Sequence, residues 1–235
     1  MMNLSKAMGI ALAGVMFLAS CKKDPLIPDQ TFSFDFETSS EGWEAGFADY
    51  PDGEEVFYEL SSSHDTIPSA AVSDHKGLKI VGNNHSDDLF MFFKKQVTGL
   101  VPLTTYKVQF ELEMASQYPE NSVGVGGSPG ASVYIKVGAT DIEPKAEVSN
   151  GEKLMNIDKG NQATEGQDMI NLGTVGIDGD EFVYKIIERD NLNNEFQVTT
   201  DADGKVWLIV GTDSGFEGLS VLYYDKIEAR FTAVE

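Results

Sequence analysis

Cysteine is all but missing from this chain: Cys21 stands alone among 235 residues, so no internal disulfide can brace the fold. Histidine is nearly as scarce. His64, His75 and His85 fall in neither an HExxH motif nor a paired spacing, which gives a zinc centre no support. Bases number 17 against 38 acids, and a net charge of −21 selects against nucleic acid and anionic lipid surfaces, which recruit Lys and Arg. No apolar run approaches the roughly 20 residues of a membrane-spanning helix. Gly127-Ser128-Pro129-Gly130 reads as a turn rather than a nucleophile elbow. Gly124-Val125-Gly126-Gly127 lacks the lysine and helix of a phosphate cradle. Among 38 acids, no pair stands out as the two carboxylates of a glycoside hydrolase. What is present is material for a core, 41% hydrophobic residues with 14 phenylalanines, and enough acid to suit oxygen-seeking cations such as calcium.

The first twenty residues hold one base, Lys6, and no acid, and carry a short apolar run from Met8 to Leu18. That pattern is a cleaved export signal. It closes on Leu18-Ala19-Ser20-Cys21, which resembles the lipobox of bacterial lipoproteins. The resemblance implies cleavage before Cys21, a diacylglycerol on its thiol and acylation of the new amino group. Several acyl chains anchor a protein stably where one does not. A plain secretory signal followed by an unrelated cysteine is the alternative. Lys22 stands where an aspartate would signal inner-membrane retention, so the expected location is lipid-anchored in the cell envelope, at the outer membrane or cell surface. Loss of residues 1–20 removes one lysine and takes the charge from −21 to −22. Residues 21–30, with Pro25 and Pro28, form a tether.

From residue 31 to 235 the hydrophobic period is two. Tyr106, Val108, Phe110, Leu112 and Met114 alternate with Lys107, Gln109, Glu111 and Glu113, the mark of a half-buried strand. The same alternation marks Phe32 to Phe36, Val133 to Val137, Phe182 to Ile186 and Val206 to Val210. Leu89 to Phe93 is apolar on both faces, as in a strand covered on both sides. Turn clusters at Pro51-Asp52-Gly53, Gly124 to Gly130, Asp178-Gly179-Asp180 and Asp203-Gly204 separate these runs, and helical spacing is never sustained. The expectation is one all-β domain, an antiparallel β-sandwich of jelly-roll type. The segment 139–173 is the least strand-like and is expected to be a long loop decorating the sandwich.

Asp225 is the most informative acid. It interrupts the apolar series Leu219, Val221, Tyr223, Ile227, Ala229, Phe231, and a buried carboxylate must be paired, hydrogen-bonded or metal-bound. Two arrangements account for it: a structural calcium shared with Asp35 or Glu37, or a β-bulge that turns Asp225 to solvent. The polar run Asn83, Asn84, His85, Ser86, Asp87, Asp88 offers groups for a sugar or cation, and equally the side chains that turns use. Asp158 to Gln162 invites the same two readings. Asp201-x-Asp203-Gly204 starts like a calcium loop but ends on Thr212, and reads as a hairpin turn. Tyr134 and Trp207 lie opposite the main aliphatic face of their strands. They are either exposed platforms for sugar stacking or core beneath the long loop.

Phe34-Asp35-Phe36-Glu37 with Gly42-Trp43, then Val97-Thr98-Gly99-Leu100 with Pro102, Thr105, Tyr106, Val108 and Phe110, and finally Tyr223-Tyr224-Asp225 with Ile227, form a recurrent pattern. It resembles the jelly-roll modules of carbohydrate-binding families four, nine and twenty-two, within the galactose-binding-like group. The resemblance implies a glycan ligand and a structural calcium between first and last strands, held by Glu37 and Asp225. The long insertion and the lack of an attached catalytic domain depart from that pattern. Three functions follow: a non-catalytic glycan-binding lipoprotein, a structural or protein-binding lipoprotein of the envelope, or a lipid-anchored hydrolase using the loop at 83–88.

Overall fold

The computed structural model describes residues 26–234. Cys21, its export signal and the tether as far as residue 25 lie outside the described residues. Most of the alternating sequence becomes strand, and no helix occurs among the described residues. The strands in the first half are β1 (Gln30–Phe34), β2 (Glu44–Ala48), β3 (Tyr50–Pro51), β4 (Ser61–Thr66), β5 (Lys76–Asn83), β6 (Leu89–Val97) and β7 (Thr105–Ser116). They continue with β8 (Val133–Thr140), β9 (Ala146–Ser149), β10 (Glu152–Met155) and β11 (Met169–Thr174). The last four are β12 (Lys185–Asp190), β13 (Gln197–Thr199), β14 (Val206–Ser214) and β15 (Leu219–Ala233).

Two antiparallel sheets make the sandwich. The larger runs β12-β7-β15-β5-β4, with β1 added to β15 and β13 to β7; the smaller runs β11-β8-β14-β6-β2. Their facing surfaces bury Phe110, Leu112 and Met114 from the one against Met91, Val137, Leu208 and Val210 from the other. Each such side chain contributes about 1.5–3 kcal/mol by leaving water.

The smaller sheet is buried on its other side too. Phe90, Phe92, Ile209 and Met169 point outward into a second cluster with Ile157, flanked by Ala146 and Met155. The cover comes from the expected long loop, which the structure shows to be more than a loop. Its residues form the β9–β10 hairpin, and β10 pairs with β3 in a three-stranded sheet. Asn150 and Gly151 turn that hairpin at φ +53° and +86°, the two positive angles of a type I′ turn.

Three expectations need correction. Phe182 and Tyr184 precede β12 and are not strand. The Asp201 turn is no hairpin: β13 joins the larger sheet and β14 the smaller, so the turn crosses between layers. The apolar series of the last strand is not one face. A bulge between Tyr224 and Lys226 reverses the parity, so Leu222 and Tyr224 point inward before it and Ile227, Ala229 and Phe231 after it. Tyr223 and Val221 instead face a third apolar cluster, built on Ile67 and Ala115, on the outer side of the larger sheet.

Candidate functional site

The β15 bulge sits at Asp225 and leaves it out of the ladder, yet the side chain turns into protein and stays 7% exposed. The bulge and the burial, set against each other by sequence, coexist. His75 Nδ1 stands 3.3 Å from Asp225 Oδ1 and 3.4 Å from Glu37 Oε1. Burial raises the Asp225 carboxyl above its usual range; His75 draws it back, while Glu37 and Asp35 add to the rise. Asp35 is exposed at the rim, where its Oδ1 accepts a hydrogen bond from the Glu37 backbone. Glu37, His75 and Asp225 each offer a ligand atom within 4.8 Å of the others, so this cluster could hold a metal ion.

A second cluster lies on the outer side of the smaller sheet. Asp213 on β14 is fully buried, and Lys136 on the neighbouring β8 equally so. The insertion lowers Lys159 onto them, with Nζ 2.7 Å from Asp213 Oδ2 and 5.0 Å from the centre of the Phe90 ring. Lys159 also comes within 2.8 Å of Asp49 Oδ2, close enough for an ion pair but without hydrogen-bond geometry. The descent of Lys159 requires glycine beside it. A Cβ on Gly160 would meet Thr164 O at 2.2 Å, and one on Gly166 would meet Asp158 O at 2.1 Å. Lys136 donates to the carbonyls of Lys159 and Thr164, both at 2.6 Å, which fastens the same loop. Asp49 reaches the group from the β2–β3 junction at φ +63°, a conformation that Asp tolerates better than most residues.

Asp88 completes this set, and here two carboxylates crowd a third. Burial first, then Asp213 and Asp49, push Asp88 up to about 7. Burial likewise raises Asp49 despite Lys159. Burial also disfavours the Lys159 charge, but Asp213 and Asp49 outweigh it and hold that ammonium above its usual range. Lys136, with less compensation, is lowered by its burial. Asp49, Asp88 and Asp213 form a second group able to hold an ion. Sequence pattern singled out Asp88 and the 158–162 stretch that holds Lys159, but not Lys136 and Asp213, because those two occupy the parity that reads as a solvent face.

The rest of the 83–88 run disperses. Asn84 is buried and structural: its Nδ2 donates to Ser214 O and Phe216 O while Oδ1 accepts from Ser86 N. Asn83 donates to Glu59, and His85 stacks on exposed Phe57 with ring centres 4.2 Å apart. Asp87 is exposed and receives Gln162 on its carbonyl. Asp158 caps its own loop by accepting from Gly160 N and Gln167 N. Tyr134 and Trp207 are both half-buried on the outer side of the smaller sheet. The Trp207 ring already carries the Lys94 ammonium 5.3 Å from its centre. Gly126-Gly127-Ser128-Pro129-Gly130 does carry the spacing of a nucleophile elbow, which the turn reading passed over. Ser128 Oγ nevertheless donates to Glu120 O and accepts from Gly130 N and Ala131 N, in a loop that leads into no helix.

A cleft of about 550 Å³ opens on the outer side of the larger sheet. It exists because β7 changes partner, pairing with β12 at its far end and β13 at its start. Across the gap Asn191 acts as a one-residue strand: Oδ1 accepts from Phe110 N and Nδ2 donates to Val108 O. The chain from 191 to 196 consequently lifts away and walls the cleft. Lys107, Glu195, Asn193, Arg230 and Asp29 line it. Two ion pairs join these walls, Lys107 with Glu195 at 2.8 Å and Arg230 with Asp29 at 2.5 Å. Leu192, 56% exposed, continues the cleft into a second hollow with Glu111, Glu113, Glu188 and Lys226.

No protein-family model matches this chain, and no curated protein matches it. Solved structures do. TmCBM61, in complex with β-1,4-galactotriose, is similar at 12% identity and a TM-score of 0.35, over 81% of this chain and 88% of that one. TmCBM27, a carbohydrate-binding module described for specific mannan recognition, is similar at 9% identity and TM-score 0.38, over 86% and 98%. The cleaved adhesin domain of Lys-gingipain from Porphyromonas gingivalis is similar at 14% identity and TM-score 0.36, over 88% and 99%.

Proposed function

We propose that this chain is a lipoprotein anchored through Cys21 in the cell envelope, where a non-catalytic β-sandwich binds glycan in the cleft beside Arg230. The observation that carries this reading is the cleft itself. At about 550 Å³ it has the volume of a ligand site. Sugar hydroxyls both donate and accept, and the walls offer both: the Asn193 amide, the Asp29 and Glu195 carboxylates, and the Lys107 and Arg230 cations. Leu192 supplies an apolar surface for a ring face. Calcium at Glu37 and Asp225 belongs to the same reading as a structural ion, supported by the convergence of those two side chains.

A glycan array probed with the full-length chain tests this. We expect binding that Arg230→Ala and Asn193→Ala each abolish without shifting the melting curve, and that Trp207→Ala leaves intact. A blank array, or binding indifferent to both cleft variants, would sink the proposal. Cys21→Ser is expected to release the chain from the membrane fraction; retention there would remove the lipid anchor. A protein partner is the second reading, favoured by one observation: two large apolar side chains, Val123 and Phe182, 95% and 56% exposed, line a shared hollow.

A further inference from the structure

The cluster of Asp49, Asp88 and Asp213 carries more negative charge than its lysines cancel: three carboxylates face two ammonium groups. The surplus lies on particular atoms. Asp213 has no exposed side-chain surface, yet its Oδ1 has no hydrogen-bond partner, and Oδ1 of Asp88 is buried in the same condition. Buried polar atoms are almost always satisfied, so two unpartnered carboxylate oxygens in one cluster call for a cation, or for the proton that Asp88 takes up when none is bound. Neither lysine serves them. Lys159 binds Asp213 through Oδ2, as does the Gln162 backbone N–H; Lys136 is 3.8 Å from that same Oδ2 and spends its hydrogen bonds on carbonyls. Asn161 reaches Asp88 only at Oδ2, at 3.4 Å.

The three carboxylates are spaced as in a cation shell. One oxygen from each of the three aspartates lies within 4.8 Å of the other two. A single ion with oxygen bonds of about 2.3–2.6 Å spans that separation. Asp49 and Asp88 remain partly exposed, which leaves a way in from solvent and space for the waters that complete six or more ligands.

We propose that Asp49, Asp88 and Asp213 form a second cation site, for a divalent ion of calcium's oxygen-ligated class, beneath the loop at 158–166. The two lysines reduce the effective charge of the shell, which places the affinity with the weak extracellular class, a Kd of about 10⁻⁴–10⁻³ M. An ion there joins the β2–β3 junction, the 83–88 loop and β14 to the insertion that covers them. It is separate from Asp225, on β15 of the larger sheet, and Glu37, in the bend that follows β1.

Two readouts on the chelator-treated full-length chain test this. Millimolar calcium is expected to raise the melting temperature. Terbium is expected to luminesce through Tyr134, which lies directly across from Asp213 in the β8–β14 ladder. Asp88→Asn is expected to weaken both by at least the roughly 10–100-fold that outer-shell changes cause, while Glu37→Gln leaves the terbium signal in place. If Asp88→Asn fails to fold, Tyr134→Phe decides: emission lost with the calcium stabilisation retained supports the site, and emission retained overturns it. Absence of both effects in the unaltered chain, or equal effects in a folded Asp88→Asn variant, also overturns it.

Discussion

The two acidic clusters use the same residue types in opposite settings. Glu37, His75 and Asp225 meet at a bulge, and His75 and Glu37 remain 45% and 39% exposed. Water and a single histidine share the job of neutralising Asp225. Asp213 has no such recourse: it is fully buried, and two lysines follow it into the interior. Burial therefore decides how much a counter-charge matters. At the first cluster the partner is an adjustment; at the second it is a condition of folding.

Lys159→Ala should break that comparison most visibly. Removing one partner of a buried pair strands the other charge, at a cost of about 3–5 kcal/mol. Denaturant unfolding should report that loss, and a change under about 1 kcal/mol would show that water reaches Asp213. Asn84→Ala should cost less, about 1–3 kcal/mol, because it removes donors from two carbonyls without stranding a charge. It should also loosen the loop that delivers Asp88, read as faster amide exchange across 84–88; unaltered exchange would remove Asn84 as the anchor of that loop. The smallest effect is expected from His75→Ala, below about 1 kcal/mol, because His75 is 45% exposed and water can take its place beside Asp225. A larger loss would mean that Asp225 depends on its histidine as Asp213 depends on its lysines.

What could be read from sequence follows the range of the interaction involved. Strands with one wet face, such as Tyr106 to Met114, were legible because alternation is local. Asp225 was legible as an anomaly for the same reason, and Phe36-Glu37 by resemblance. His75 was not, since nothing local ties it to a residue 150 positions away. The bulge at Asp225 hid the true face of Tyr223, because a one-residue shift moves every later side chain to the other side. Lys136 and Asp213 were missed by the same logic that found the strands. On a two-layer reading their parity means solvent, and only the third layer makes them interior. One signal was available: Asn150-Gly151 inside the supposed loop announces a hairpin, and a hairpin needs something to cover. The cleft had no signature at all, because it arises from β7 exchanging β12 for β13 across the gap that Asn191 fills.

The doubly buried smaller sheet also limits what can be cut from this molecule. Phe90, Phe92 and Ile209 form a greasy panel that the 146–168 segment helps to keep from water. A shortened version without that segment would present adjacent aromatic strands to other copies of itself, and self-association through a sheet face would compete with refolding. Evolution or an engineer could dispense with the insertion only by first repainting that panel in polar residues. The insertion is thus less an appendage than a permanent lid.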